Sequence, residues 1–287
     1  MNILLYANSA EKARLLLPWV TGLSGHFMTQ VTAQTTREPS PGEAAAADVF
    51  RSELSGIEQL KIKSVRTHDD APEEGIAQEV LGGDYNLVIL APAGRRGFIR
   101  LFYGSMVAKV VRKVSTSVLV VRGGFVPPRR ILVCVSGSRH SLSNVRAAAQ
   151  LAGMFGSTVS VLMVLSQLPV EFKKEGGAGA GLDPRLRGEP AGAWQERFLA
   201  SEHPLAVHMR AADDLLRNLG VKGGVRVTEG LVVDEILDEL EAFDHDLLVL
   251  GTHRAEDYDP MYEDLTSEMV QKSPRTTLVV GQRADLL

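Results

Sequence analysis

The chain is poor in the features that would assign it quickly. One cysteine in 287 residues excludes an internal disulfide framework and fits a reducing compartment. No stretch approaches eighteen consecutive apolar residues, so no membrane-spanning helix is expected. No charged segment precedes a long apolar core at the start, so the sequence reads without a signal peptide and a cytoplasmic location is expected. Positive charge is not in excess: the formal net charge is −4, with no basic tail, which gives no reason to expect nucleic acid as a partner. Gly-x-x-x-x-Gly-Lys-[Ser/Thr] is missing, which argues against a Walker-type NTPase. None of the seven histidines pairs with another histidine, a cysteine or a carboxylate at a metal-site spacing, and no metal is expected.

What is present is ordinary globular composition, 45% hydrophobic and 23% charged, in a length that suits two domains. An internal repeat is legible. Glu79-Val80-Leu81-Gly82-Gly83-Asp84-Tyr85-Asn86-Leu87-Val88-Ile89-Leu90 lies over Glu239-Leu240-Glu241-Ala242-Phe243-Asp244-His245-Asp246-Leu247-Leu248-Val249-Leu250 at an offset of 160. The same offset carries Val118-Leu119-Val120 onto Leu278-Val279-Val280, whereas Ile3-Leu4-Leu5 matches Ile131-Leu132-Val133 at an offset of 128. The second copy has therefore gained 32 residues, and the glycine run 176–181 marks an insertion near 166–193.

Each copy alternates strand with helix. Strands are expected at 2–7, 27–34, 60–66, 86–91 and 117–122, then at 130–135, 158–165, 224–229, 246–251 and 276–281. Helices are expected at 10–20, 41–55, 72–82 and 104–114, then at 141–153, 205–219, 232–242 and 265–272. The strands are near-continuous Val/Ile/Leu runs, the pattern of strands buried on both faces, and the alternation implies right-handed crossovers in a parallel sheet. Ser141 and Gly153 read as start and stop of one helix. Cys134, inside an apolar run, reads as a buried small hydrophobe. Asp69-Asp70 and Glu73-Glu74 read as helix-start chemistry rather than an acid/base pair. Residues 123–130, with two glycines and two prolines, form the linker, so the expected domains are 1–123 and 130–287.

The candidate site follows the fourth strand of copy one. Gly94, Gly97 and Gly104 let backbone N–H groups approach an anion, Gly104-Ser105 opens a helix whose free N–H groups favour one, and Arg95, Arg96 and Arg100 add positive charge without an acidic neighbour. On local chemistry this is either a phosphate loop or a glycine turn with a solvated basic face. Gly-x-x-Gly, a short spacer, Gly-Ser, a helix and a strand ending Val118-Leu119-Val120-Val121-Arg122 resemble the nucleotide-binding signature of the universal stress protein family. Ile131-Leu132-Val133-Cys134-Val135-Ser136-Gly137-Ser138 is similar to the same family's opening strand and turn.

The resemblance implies an α/β chain of two Rossmann-like (adenine nucleotide alpha hydrolase-like) domains. Each is a five-stranded parallel sheet of order 3-2-1-4-5 flanked by helices. It implies ATP or AMP across the carboxyl ends of strands one and four, with Mg entering only alongside ATP. The binding residues carried over are Asn8, Gly94, Arg95, Arg96, Gly97, Gly104 and Ser105; Asn8 stands where nucleotide-binding members have an aspartate, and only six residues separate Gly97 from Gly104. It also implies pairing of the two copies through their last strands, and leaves a homodimer of the whole chain open.

Copy two lacks the loop. Gly94, Gly97, Gly104 and Ser105 become Arg254, Asp257, Asp264 and Leu265. Residues 94–108 hold three positive charges; residues 254–268 hold one positive and six negative. The leading expectation is a stress-response or regulatory module that binds an adenosine nucleotide in copy one only, with copy two structural or partner-binding and any ATP hydrolysis slow and incidental. The alternative is a scaffold that binds no nucleotide and acts through protein–protein contacts. An enzyme acting on adenosine nucleotides has only fold analogy behind it.

Overall fold

The computed structural model describes residues 1–36, 46–57, 60–68, 71–92, 106–138, 140–166, 193–252 and 260–282. In chain order the first repeat holds β1 Asn2–Tyr6, α1 Ala10–Ser24, β2 Thr29–Thr36, α2 Ala46–Leu54, β3 Leu60–His68, α3 Pro72–Gly82, β4 Leu87–Leu90, α4 Met106–Lys113 and β5 Ser117–Val120. The second holds β6 Arg130–Cys134, α5 Ser141–Phe155, β7 Thr158–Leu165, α6 Ala193–Ala200, α7 Pro204–Asn218, β8 Gly223–Glu229, α8 Val232–Ala242, β9 Leu247–Gly251, α9 Pro260–Lys272 and β10 Thr276–Val280. By contacts the chain divides into two compact units, Met1–Pro127 with Val249–Leu287, and Pro128–Leu248.

In the first unit the strand order is β3-β2-β1-β4-β5, all parallel, followed by β10 antiparallel to β5. The apolar runs explain it: Ile3, Leu4, Leu5, Val88, Ile89 and Leu90 are fully buried, with helices on the faces as strands of this composition require. Leu119 faces Leu278 across the antiparallel pair. Arg122 N–H donates to Thr276 Oγ1 at 3.0 Å and Gly281 N–H to Ser117 Oγ at 3.1 Å, closing both ends of that pair. In the second unit β6, β7 and β8 are parallel neighbours.

The repeat extends to single hydrogen bonds. Asn2 N–H donates to Asn86 Oδ1 at 2.7 Å, and Asn2 Nδ2 donates to Asp84 O at 2.7 Å. In the second unit Arg130 N–H donates to Asp246 Oδ2 at 2.9 Å, and Arg130 Nε donates to Asp244 O at 3.0 Å. These pairs are related by the two sequence offsets, and each fastens the amino end of a first strand to the chain entering a fourth. A second correspondence lies behind them. Glu79 takes Arg66 Nη1 at 2.6 Å and the Tyr85 hydroxyl at 2.6 Å. Burial, reinforced by the Glu79 carboxylate, pushes the Tyr85 phenol up to about 12. Glu239 stands 3.6 Å from Arg226 Nη1 and 3.8 Å from His245 Nε2, with the Arg226 guanidinium 4.6 Å from the Phe243 ring centroid.

The linker is anchored on the first unit. Phe125 meets Trp19 edge-on with centroids 5.0 Å apart, and a Cβ on Gly22 would come within 2.4 Å of Phe125 Cζ, so glycine makes that seat.

Three expectations are corrected. The insertion near 166–193 lies mostly outside the described residues, but its far end leads into α6, which the sequence reading omitted. Cys134 is partly exposed rather than fully buried, although burial of its thiol, helped by Glu239, still pushes its pKa up. Gly153 does not stop α5: the helix runs on to Phe155, and Gly156 ends it with φ of 68°. A left-handed residue there lets the chain leave the helix without a Cβ clash, so the cap sits three residues later.

Neither glycine has any atom within 4 Å of a built Cβ, so the two positions separate helix propensity from backbone conformation. Gly153→Ala should stabilise the protein by about 0.5–1 kcal/mol. Gly156→Ala should destabilise it by about 1–2 kcal/mol. Urea midpoints of the two variants, moving in opposite directions from the wild type, check the assignment.

Candidate functional site

In the first unit β1 has β2 on one side and β4 on the other, so the connections leave the carboxyl ends of β1 and β4 in opposite directions. Such a switch point opens a crevice for general topological reasons. The turn after β1 is built by capping. Ser9 is the N-cap of α1, its hydroxyl accepting from Lys12 N–H at 3.3 Å. Asn8, one residue earlier, is exposed, and Lys12 Nζ donates to its Oδ1 at 2.8 Å. Lys12 takes the carbonyl side of the amide, which leaves Asn8 Nδ2 as the donor side of that residue. The sequence reading singled out Asn8 and missed Lys12, although the spacing of four along α1 was there to see.

On the other side, β4 ends at Leu90, where Val121 N–H donates to Leu90 O at 2.8 Å. Gly94, Arg95, Arg96, Gly97, Gly104 and Ser105 lie outside the described residues. The helix after them does not: α4 starts at Met106, directly behind Gly104-Ser105. Val107, Ala108, Val110 and Val111 form its buried face. Lys109 Nζ meets Glu73 Oε1 at 2.7 Å, and Lys113 pairs with Glu74, so two ion pairs tie α4 to α3. Burial acts to raise the Glu73 carboxyl, but the Lys109 hydrogen bond, its own backbone and the Lys109 and Lys113 charges win and hold it below its usual value. Glu73 and Glu74 thus do more than open α3. They also fix α4 against α3.

The second unit treats the same place differently. After β6 the chain passes Ser136, Gly137 and Ser138, and α5 begins at Ser141 without a side-chain cap from His140. Ser141 is no N-cap either: its hydroxyl donates to Ser138 O at 2.7 Å, and its Oγ lies 2.8 Å from His208 Nε2 of α7. The sequence reading missed His208. Burial lowers its pKa from the ordinary 6.5. Residues 253–259, which include Arg254 and Asp257, and the side chains of 260–264 are outside the described set. Among the described residues no three His, Cys, Asp or Glu side chains form a group that could hold a metal ion, and no helix is long and apolar enough to cross a membrane.

The sequence model of the universal stress protein family matches residues 23–122 and 128–281. The chain belongs to the universal stress protein family. A universal stress protein from Archaeoglobus fulgidus aligns over 98% of this chain and 97% of its own, with a TM-score of 0.66 and 15% identity. A protein described as a putative universal stress protein from Pseudomonas aeruginosa aligns over 97% and 92%, with a TM-score of 0.65 and 14% identity. The cytoplasmic domain of a prokaryotic cation chloride cotransporter aligns over 99% and 96%, with a TM-score of 0.57 and 10% identity. At these identities the likeness is one of fold. No curated protein matches.

His208 gives this member of the family a checkable pH dependence. Its folded pKa is depressed, so the unfolded chain binds the proton first as pH falls. Its contribution to stability is complete above the ordinary 6.5 and is lost as pH drops through that value toward the folded pKa. The stability difference between wild type and His208→Asn should therefore shrink between about pH 7 and pH 5, as read from paired urea titrations. A constant difference would remove His208 from the account.

Proposed function

We propose that the chain is a regulatory, stress-response module that binds one adenosine nucleotide, ATP or AMP, in its first repeat. The observation that carries the reading is the juxtaposition of the Asn8 turn after β1 with β4, whose outgoing chain runs through three glycines into α4. In this reading Asn8 offers its amide to the base or ribose. Gly94, Gly97, Gly104 and Ser105 offer backbone N–H groups to phosphate, and Arg95 and Arg96 offset its charge. Mg would enter only with ATP. No general base is among these named residues, and the chemistry proposed for them is binding rather than turnover. The first and second repeats correspond to 1–123 and 130–287 and associate through β5 and β10. The cytoplasm suits a chain with a single cysteine and no disulfide.

The second repeat does not share the ligand. Each carboxylate within about 8 Å of a phosphate charge opposes binding by about 0.5–2 kcal/mol, depending on the local dielectric. Six carboxylates in 254–268 together exceed what a few backbone hydrogen bonds return. The competing reading, a scaffold without nucleotide, is favoured by one observation: Asn8 replaces the family's aspartate and already gives its oxygen to Lys12.

Calorimetry with ATP and with AMP, each with and without magnesium, separates the two. The expected stoichiometry is one per chain, lost in Gly97→Asp and still one in Asp257→Gly. Two sites per chain, or a site that survives Gly97→Asp, contradicts the assignment, and no binding to the wild type selects the scaffold.

A further inference from the structure

One polar side chain in the core of the first unit has no use in its packing. Gln34, on β2, is 1% exposed, and its Oε1 is buried without a hydrogen-bond partner. A buried acceptor left unpaired costs stability, because it gives up water and receives nothing in exchange. Register fixes where it stands. Gln34 pairs with Tyr6, the last residue of β1, and Tyr6 pairs with Leu90, the last residue of β4. Gln34 O also accepts from Ala7 N–H at 3.2 Å, one residue before Asn8. Gln34 is therefore level with the turn that leaves β1, and about 10 Å across the sheet from the end of β4. A mononucleotide bridges such a span from base to phosphate. Residues paired across neighbouring strands project to the same face, so Gln34 shares a face with Tyr6 and Leu90. Both are buried in one cluster with Ile76 and Ala77 of α3 and Val107 and Val110 of α4, and Met106, where α4 begins, packs against it.

The second repeat shows what the position holds otherwise. At the offset of 128 the counterpart of Gln34 is Leu162, which pairs with Cys134 as Gln34 pairs with Tyr6 and is fully buried. Packing alone is served by an apolar residue there, and the first repeat places a carboxamide.

We infer that Gln34 is a specificity-determining residue of the first repeat, its Oε1 accepting from the 6-amino group of adenine and its Nε2 donating to the adjacent ring nitrogen. The inference rests on the proposed nucleotide site. A carboxamide sets one acceptor beside one donor, which is the complement of an adenine edge. The atom in want of a partner is the acceptor, so the matching purine carries an amine.

Calorimetry on the full chain tests it with AMP and with purine riboside 5′-monophosphate, which lacks only that amine. The wild type should bind AMP more tightly by about tenfold. In Gln34→Leu, which imports the second repeat's own residue, the two ligands should bind equally. The urea midpoint of this variant should rise, since an unpaired acceptor has left the core. A purely structural glutamine gives the reverse, a lower midpoint with the AMP preference intact. Equal binding of the two ligands to the wild type, or a preference that survives Gln34→Leu, overturns the role of Gln34 and leaves the nucleotide site standing. No binding of AMP to the wild type overturns the site and the role together. Should Gln34→Leu fail to fold, Gln34→Met, close in length and unable to accept from the amine, gives the same comparison.

Discussion

The architecture depends on one fastening made twice, of a first strand to a fourth. A side chain just before β4 or β9, Asn86 or Asp246, accepts from the backbone at the start of β1 or β6. The same two strand starts then donate through their side chains to Asp84 O and Asp244 O. Those bonds set the register at the amino ends, and burial of Ile3, Leu4, Leu5, Val88, Ile89 and Leu90 on both faces makes the register costly to change. With the amino ends locked, the carboxyl ends of β1 and β4 must open beside each other, and their connections must diverge. The crevice follows from the pairing and needs no further device.

From that shared frame the repeats part through a few residues. In the first, Ser9 caps α1 and leaves Asn8 exposed, while the Glu73–Lys109 and Glu74–Lys113 pairs hold α4 against α3. These ion pairs are partly exposed and modest in energy, but they orient a helix already seated by four apolar residues. In the second, a glycine with positive φ admits Leu205, and His208 bonds Ser141.

Most of the frame was legible because it is written in local pattern. Every strand lies within about two residues of its expected span; Val-, Ile- and Leu-rich runs marked fully buried ones such as β4, β5 and β10, whereas the partly exposed β3 and β8 carry polar residues between their apolar ones. The repeat was legible because both copies must make the same strand pairs. What the sequence did not show depends on contacts between distant residues or on dihedral angles. Gly153 and Gly156 look equivalent as helix stops until φ distinguishes them. Leu205 and His208 carry no motif, and their role exists only because α7 reaches a turn some 67 residues earlier in the chain. For Lys12 the signal was present, four residues after Asn8, but its meaning required knowing that its Nζ bonds the Asn8 amide.

The asymmetry of the repeats is the central claim, and residue-level mapping tests it most directly. Amide chemical shifts of the full chain, followed while AMP is added, should move at Asn8–Lys12 and at Met106–Ala108 and stay fixed at Ser136–Ser138 and Ser141. Shifts at the β6 turn equal to those at the β1 turn would contradict the account.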